Sequence, residues 1–373
     1  MINETRSNKL LEVKHLSVDY ESARGAVHAV TGVSFTIKRG QILGLAGESG
    51  SGKSTLAYAI ARLLRPPAVV TQGQVLYYPR GGSTDNAVTD ILALTPAQLR
   101  AFRWRELSIV FQSAMNALNP VMDIGEQITD VLRTHNQLMT GKEARSRAVE
   151  LLQLVGIAPD RLHSYPHELS GGMRQRAVIA TALALDPEII IMDEPTTALD
   201  VVVQRDILAQ IMRLSSDFGF SVIFITHDLS LLLEIADTIA IMYAGRIVEM
   251  ATREDMYRRP RHPYSCGLLN SFPSLHGPRR RLMGIPGSPP DLRSIPPGCA
   301  FHSRCGFAFR ACYTVEPALL HVPPEGAKVY RGAPPVDSLS VAGQGTHVAC
   351  HLYDAQLNPE GPPERLESEY VNQ

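Results

Sequence analysis

The chain has 373 residues, 45% hydrophobic and 20% charged, an ordinary balance for a globular protein of two or three domains. Lysine and arginine number 36 against 37 aspartates and glutamates, and a net charge of −1 argues against a general nucleic-acid binder. No apolar run approaches the ~18–20 residues of a membrane span, and Met1–Ser7 leads into no signal-type apolar core. The chain is therefore expected in the cytoplasm, with any membrane role exerted through a partner.

Leu11-Glu12-Val13-Lys14 and Leu16-Ser17-Val18-Asp19-Tyr20 alternate apolar and polar residues, as half-buried strands do. Val27–Val30 and Val33–Ile37 continue the pattern, with Gly32 and Gly40 at turns. Tyr20 ends its strand ahead of a glycine-rich loop. There it can stack on a nucleobase or serve as a core or edge tyrosine, and spacing alone weighs the two equally.

Gln41–Ala46 is a short apolar strand, and Gly47-Glu48-Ser49-Gly50-Ser51-Gly52-Lys53-Ser54-Thr55 follows it. This stretch fits G-x-x-x-x-G-K-[ST], the phosphate-binding loop of nucleotide hydrolases. Leu56–Leu64 then reads as a helix stopped by Pro66-Pro67. Gly47, Gly50 and Gly52 allow positive φ, so that backbone N–H groups curl around phosphate oxygens. Lys53 can reach the β- and γ-phosphates, and the Ser54 hydroxyl can ligate Mg²⁺.

Residues 70–112 read as strands with a polar excursion from Pro79 to Asp90. Thr95 and Pro96 open a helix. Leu107–Phe111 is a buried strand ending in the amide of Gln112, and Asn119-Pro120 marks a boundary. Ile124, Ile128 and Val131-Leu132 fall at helical spacing, as do Val149, Leu152 and Leu154-Val155, so residues 123–185 read as a helical insertion. Near its end, Ser170 can cap a helix, and Gly171 and Gly172 let a partner's phosphate approach the backbone.

Glu188–Glu194 is an apolar strand ending in two carboxylates at what should be a ligand crevice. Asp193 can hold Mg²⁺ through water, while Glu194 can polarise an attacking water. Pro195–Asp200 is a turn. Ser221–Thr226 is another buried strand, ending at His227, which can hydrogen-bond a γ-phosphate.

With these motifs in this order, the sequence resembles an ABC-type ATPase over about residues 9–250. The resemblance implies an α/β P-loop NTPase fold: a RecA-like core, an antiparallel β subdomain and a helical insertion at about 120–185. It implies that Tyr20 stacks on adenine and that Gly47, Ser49, Gly50, Ser51, Gly52, Lys53, Ser54 and Thr55 hold ATP. Gln112 resembles the Q-loop glutamine, which joins Ser54 and Asp193 around Mg²⁺. Glu194 resembles the catalytic base and His227 the switch histidine. Ser170-Gly171-Gly172 resembles the signature that contacts ATP held by an opposite subunit, and Asp200 the residue that links the two sites. One copy of each motif implies a second ATPase subunit, expected to be a paralogue in a heterodimer.

Residues 251–353 form an extension. Arg261–Pro273, Gly284–Leu292 and Pro296–Cys305 resemble the C-terminal region of oligopeptide/dipeptide permease ATP-binding subunits. That resemblance implies two transmembrane permease subunits, a solute-binding protein acting indirectly, and a position on the cytoplasmic membrane face. It implies coupling near Gln112–Pro120, where Ser113-Ala114 departs from the family's Asp-Pro pair. No nucleic-acid partner is expected, and a soluble ABC ATPase of DNA repair or translation is the alternative.

Cys299, Cys305, Cys312 and Cys350 can supply four thiolates to a [4Fe–4S] cube or a tetrahedral zinc. The resemblance favours iron–sulfur, with zinc and unligated packing thiols as alternatives. The sequence thus predicts a small cysteine-rich regulatory-type domain, with Cys266 a packing residue outside the set. Arg258-Arg259-Pro260-Arg261 and Arg279-Arg280-Arg281 suggest lipid headgroups or nucleic acid less than solvated surface or intramolecular pairs, and residues 354–373 read as a disordered tail.

Overall fold

The computed structural model describes residues 8–23, 25–80, 88–112, 117–197, 199–271, 284–323 and 345–363. The chain divides into two compact units. One comprises Met1–Lys38, Leu43–Leu92 and Thr226–Gln373; the other comprises Arg39–Ile42 and Ala93–Ile225.

In chain order, β1 (Lys9–Tyr20), β2 (Val27–Lys38) and β3 (Ile42–Ala46) lead to α1 (Lys53–Ile60), β4 (Ala68–Tyr77) and β5 (Thr89–Asp90). Then come α2 (Pro96–Phe102), β6 (Leu107–Val110), α3 (Ile124–His135), α4 (Gly141–Leu154) and α5 (Gly171–Ala182). β7 (Ile189–Asp193), α6 (Val201–Phe218), β8 (Ser221–Ile225) and α7 (Leu229–Ile235) follow. Last are β9 (Thr238–Tyr243), β10 (Arg246–Thr252), α8 (Arg253–Arg258), α9 (Pro263–Asn270), β11 (Leu320–Val322) and β12 (Thr346–Val348).

In the first unit, β1 lies between β2 and β4, antiparallel to both, with Val13 opposite Phe35 on one side and Val75 on the other. All three side chains are buried, each worth about 1.5–3 kcal/mol against exposure. A second array runs β11-β12-β10-β9-β3. β3 and β9 are parallel, as a strand and its crossover partner are, and every residue of both is buried.

The second unit holds the parallel trio β6, β7 and β8, with Ile190 opposite Ser108 and Val222. β7 and β8 are buried at every position, so both faces of these strands are covered. The helices start where capping chemistry places them. Asp123 accepts from the Glu126 N–H, and Thr140 from that of Glu143, each in a full capping box.

One expectation needs correction. The extension is not a separate cysteine-rich domain. β12 pairs with β10, setting Val348 opposite Glu249 and His347 opposite Met250, and β11 pairs with β12. The apolar side chains that a small separate domain would need are spent on this sheet: Cys266, Val322, Val348, Leu352 and Tyr353 form one cluster, with Phe307, Phe309 and Cys350 against it. Where the sequence predicts a tail from residue 354, Asp354 and Ala355 are buried. Arg279–Arg281, Ser113–Asn116 and Ala198 lie outside the described residues.

Candidate nucleotide-binding elements

The glycine loop lies between β3 and α1, in the first unit. Gly47, Gly50 and Gly52 have φ of 150°, 80° and 100°. A Cβ on Gly47 would stand 2.3 Å from the Met242 carbonyl oxygen, and one on Gly52 would stand 2.1 Å from that of Ala29. Glycine is thus required twice over, by conformation and by space. Lys53 is buried, and its Nζ donates to the carbonyls of Gly47 and Glu48 at 2.8 and 2.9 Å. Ser51 is buried, Ser54 and Thr55 are half-buried, and Ser49 is exposed. The Tyr20 hydroxyl lies 3.2 Å from Thr55 Oγ1, so the end of β1 meets the start of α1. His227 is exposed just before α7, which Asp228 caps by accepting from the Ser230 N–H at 2.9 Å.

Two residues reach this loop that sequence reasoning did not single out. Arg304 donates to both carboxylate oxygens of Glu48, and the Tyr264 hydroxyl accepts from the Glu48 N–H. Neither residue carries a local pattern that points to a loop more than two hundred positions away.

In the second unit, the ends of β6 and β7 bring Gln112 and Glu194 together. Gln112 Nε2 donates to Glu194 Oε2 at 3.1 Å, and Thr197 Oγ1 donates to the same oxygen at 3.0 Å. Glu194 has φ of +47°, a strained left-handed conformation for a residue with a Cβ. Its N–H donates to the Ile225 carbonyl, so pairing with β8 holds that strain in place. Asp193, one residue earlier, is fully buried.

Ser170 caps α5, accepting from the Met173 N–H at 3.3 Å, and Gly171 and Gly172 form the first turn. The free end of this helix presents N–H groups, a ready place for an anion. Asp200 caps α6, its Oδ1 accepting from the N–H groups of Val202 and Val203 at 3.1 and 2.9 Å. An aspartate just ahead of an apolar helix is a legible cap signal, and its structural task here is that cap.

The cysteines of the extension are all free thiols. None of the five cysteines forms a disulfide, and among the described residues no three His, Cys, Asp or Glu gather as metal ligands. The Cys299 N–H donates to the Cys312 carbonyl at 2.8 Å, and burial, then Cys299, Cys305 and Cys312, raise the thiol pKa of Cys350. Burial pushes Cys299 and Cys305 up to about 11, so their thiols are protonated at neutral pH and must lose protons before they can ligate. Cys266 is buried in α9, and burial pushes its thiol well up, as befits a packing residue.

Comparison with known proteins joins the two regions of the sequence. The ABC transporter family matches residues 30–197, and the oligopeptide/dipeptide transporter C-terminal region matches residues 248–312. The oligopeptide transport ATP-binding protein OppD of Bacillus subtilis is 43% identical over 85% of this chain and 87% of its own length. The chain belongs to the oligopeptide/dipeptide ABC transporter ATP-binding proteins. The dipeptide transport ATP-binding protein DppD of Lactococcus lactis is 44% identical over 85% of this chain and 88% of its own length. Among solved structures, the ATP-binding cassette MJ0796, determined as a dimer bound to ADP and Pi, is 28% identical. It superposes with a TM-score of 0.57 over 65% of this chain and 99% of its own. The P-loop NTPase fold of ABC type is therefore the fold of this family member, and ATP hydrolysis is its chemistry. Among the described residues no helix is long and apolar enough to cross a membrane.

Proposed function

We propose that this chain is the ATP-hydrolysing subunit of a peptide importer. The observation that carries the reading is the joint match, in one chain, to the ABC transporter region and to the oligopeptide/dipeptide C-terminal region. Lys53 and the loop N–H groups hold the phosphates of ATP, and Tyr20 stacks on its base. Ser54, Gln112 and Asp193 would hold Mg²⁺, which would neutralise charge on the phosphates. Glu194 orients and deprotonates the attacking water, and His227 hydrogen-bonds the γ-phosphate. The 3.1 Å contact between Gln112 and Glu194 supports a shared duty, since a glutamine amide that moves would release the base.

The signature at Ser170–Gly172 serves ATP held by a second subunit, a paralogue of this chain, and Asp200 joins the two sites. ATP binds the closed pair better than the open one and so shifts the population. Two membrane-spanning permease subunits dock near Gln112–Pro120 on the cytoplasmic face, and a solute-binding protein delivers peptide from outside. This reading is favoured over a DNA-repair or translation ATPase because the curated relatives are transport subunits.

For the extension, we propose that Cys299, Cys305, Cys312 and Cys350 hold a [4Fe–4S] cluster. Four free thiols on one extension, with the Cys299 N–H bonded to the Cys312 carbonyl, support this, and no step of ATP hydrolysis passes through the cluster. The test is iron content and the visible absorption spectrum of anaerobically purified protein. A brown, iron-loaded chain is expected, and a colourless zinc-loaded one contradicts the reading.

Purification of the tagged chain from solubilised membranes tests the whole assignment. Two multi-span membrane proteins and a second ATPase are expected in the complex. Recovery of the chain from the soluble fraction with DNA or ribosomes would contradict it.

A further inference from the structure

Glu48 places a carboxylate inside a loop whose task is to hold phosphate. Left alone, that charge opposes the ligand, because like charges a few ångströms apart repel. The carboxylate is answered by the extension. Arg304 Nη1 donates to Glu48 Oε2 at 2.7 Å and Nη2 donates to Oε1 at 2.9 Å, a bidentate pair. Arg304 is itself pinned. Its Nε donates to the Pro286 carbonyl at 2.7 Å, and Nη1 donates to the Tyr243 hydroxyl at 3.3 Å. The guanidinium carbon lies 5.8 Å from the ring centres of Tyr243 and Phe301. The arginine side chain is 4% exposed and the glutamate 27%, so the pair is sheltered on the extension's side.

The backbone of the same residue is held as well. The Glu48 N–H donates to the Tyr264 hydroxyl at 2.8 Å, and the Glu48 carbonyl accepts from Lys53 Nζ at 2.9 Å. Tyr264 is fixed against Tyr243 and Phe301, with ring centres at 4.7 and 5.4 Å. Glu48 thus meets the phosphate-binding lysine on one side and two residues of the extension on the others.

We propose that Arg304 and Tyr264 are positioning residues for the phosphate loop. Arg304 supplies the counter-charge that makes a carboxylate at Glu48 compatible with a bound triphosphate. Tyr264 fixes the Glu48 peptide against which Lys53 rests. The proposal deepens the nucleotide-binding reading and rests on it. It assigns the extension a share in setting ATP affinity.

Equilibrium binding of ATP to the full-length chain, by calorimetry at low and high salt, tests this, with melting temperatures taken on the same samples. Arg304→Met should weaken ATP binding about tenfold at low salt, through the uncompensated carboxylate. The loss should shrink as salt is raised. Glu48→Gln should bind ATP at least as tightly as the parent. The double variant Glu48→Gln, Arg304→Met should return to within about threefold of the parent, since it removes both charges. Arg304→Lys should fall between, keeping charge without the fork. Tyr264→Phe should weaken binding by a few-fold with no added salt dependence.

A clamp that acts only on stability would weaken binding in the double variant as much as in Arg304→Met, and would overturn the counter-charge. So would an Arg304→Met variant that binds like the parent. If that variant does not fold, Glu48→Gln decides: equal or tighter binding supports the proposal, and a tenfold loss overturns it. A parent chain that binds no ATP defeats the nucleotide reading itself, and this proposal with it.

Discussion

Gln112 donates its side-chain amide to Glu194 at 3.1 Å, so the last residue of one strand's exit and the carboxylate after its neighbour form a single polar unit. Glu194 is also held by Thr197 and sits at φ of +47°. A carboxylate fixed this firmly is preorganised for one orientation, which a general base requires. Glu194→Gln preserves shape and removes basicity. ATP binding should persist, while turnover falls by about 10²-fold or more, and ATP should trap a closed dimer. Steady-state hydrolysis, with size-exclusion chromatography in ATP, checks both halves. Hydrolysis at the parental rate would show that another group is the base.

The glycine loop gives a paired prediction. Gly52→Ala meets a backbone carbonyl at 2.1 Å while holding φ of 100°, whereas a Cβ on Gly50, at φ of 80°, meets nothing within 4 Å. The Gly50 variant should lose about 1–2 kcal/mol from the left-handed conformation alone. The Gly52 variant should lose more and bind ATP poorly, because the loop must move off Ala29. Thermal unfolding with and without ATP ranks the two. Equal losses would mean that the close approach to Ala29 does not constrain the loop.

Ser170 separates a structural duty from a functional one. Ser170→Ala should cost about 1 kcal/mol through the lost cap on α5. Ser170→Asp keeps a good cap and should melt like the parent. It places a carboxylate where the partner's ATP is proposed to sit, so dimer closure and hydrolysis should fail. A Ser170→Asp chain with normal hydrolysis would remove the signature from the shared site.

Glu249 predicts a pH signature. It is fully buried on β10, opposite Val348 of β12, and it accepts from the N–H groups of Arg261 and His262 at 2.6 and 2.8 Å. Burial pushes its carboxyl from 4.5 up to about 7. Between those values the folded chain keeps a proton that the unfolded chain has released. The stabilisation is therefore complete below about pH 4.5 and is lost as pH rises through 7, on the order of 3 kcal/mol in all. Buried His262, pushed down to about 3, contributes the opposite slope below 6.5, so the variant must be read against the parent. Relative to the parent, Glu249→Gln should gain stability steadily from pH 4.5 to 7, on top of a constant offset. Denaturant unfolding across that range measures it, and parallel curves would mean that Glu249 stays ionised in the fold.

Much of this protein was legible in its sequence because its working parts are local. A glycine loop between an apolar strand and a helix has one physical meaning, and Gly47, Gly50 and Gly52 take the positive φ that their placement predicts. The caps at Thr95 and Ser170 were equally readable, since capping depends on residues three positions apart. The extension was misread for the opposite reason. Its strands, Leu320–Val322 and Thr346–Val348, are three residues each, too short for alternation to register. The partner of β12, β10, is also distant in sequence. Arg304 carries no local signal of its role in the sequence, and only the fold brings it to Glu48.

ATP hydrolysis by this chain drives peptide transport across a membrane. The most direct measurement is uptake of a labelled oligopeptide into proteoliposomes carrying the chain, its co-purified membrane subunits and its solute-binding protein. With ATP on the side that holds this chain, labelled peptide should be carried across the bilayer. Transport should vanish with a non-hydrolysable analogue or with Glu194→Gln. Transport that is equal with and without hydrolysis, or sustained hydrolysis with no peptide moved, would contradict the account.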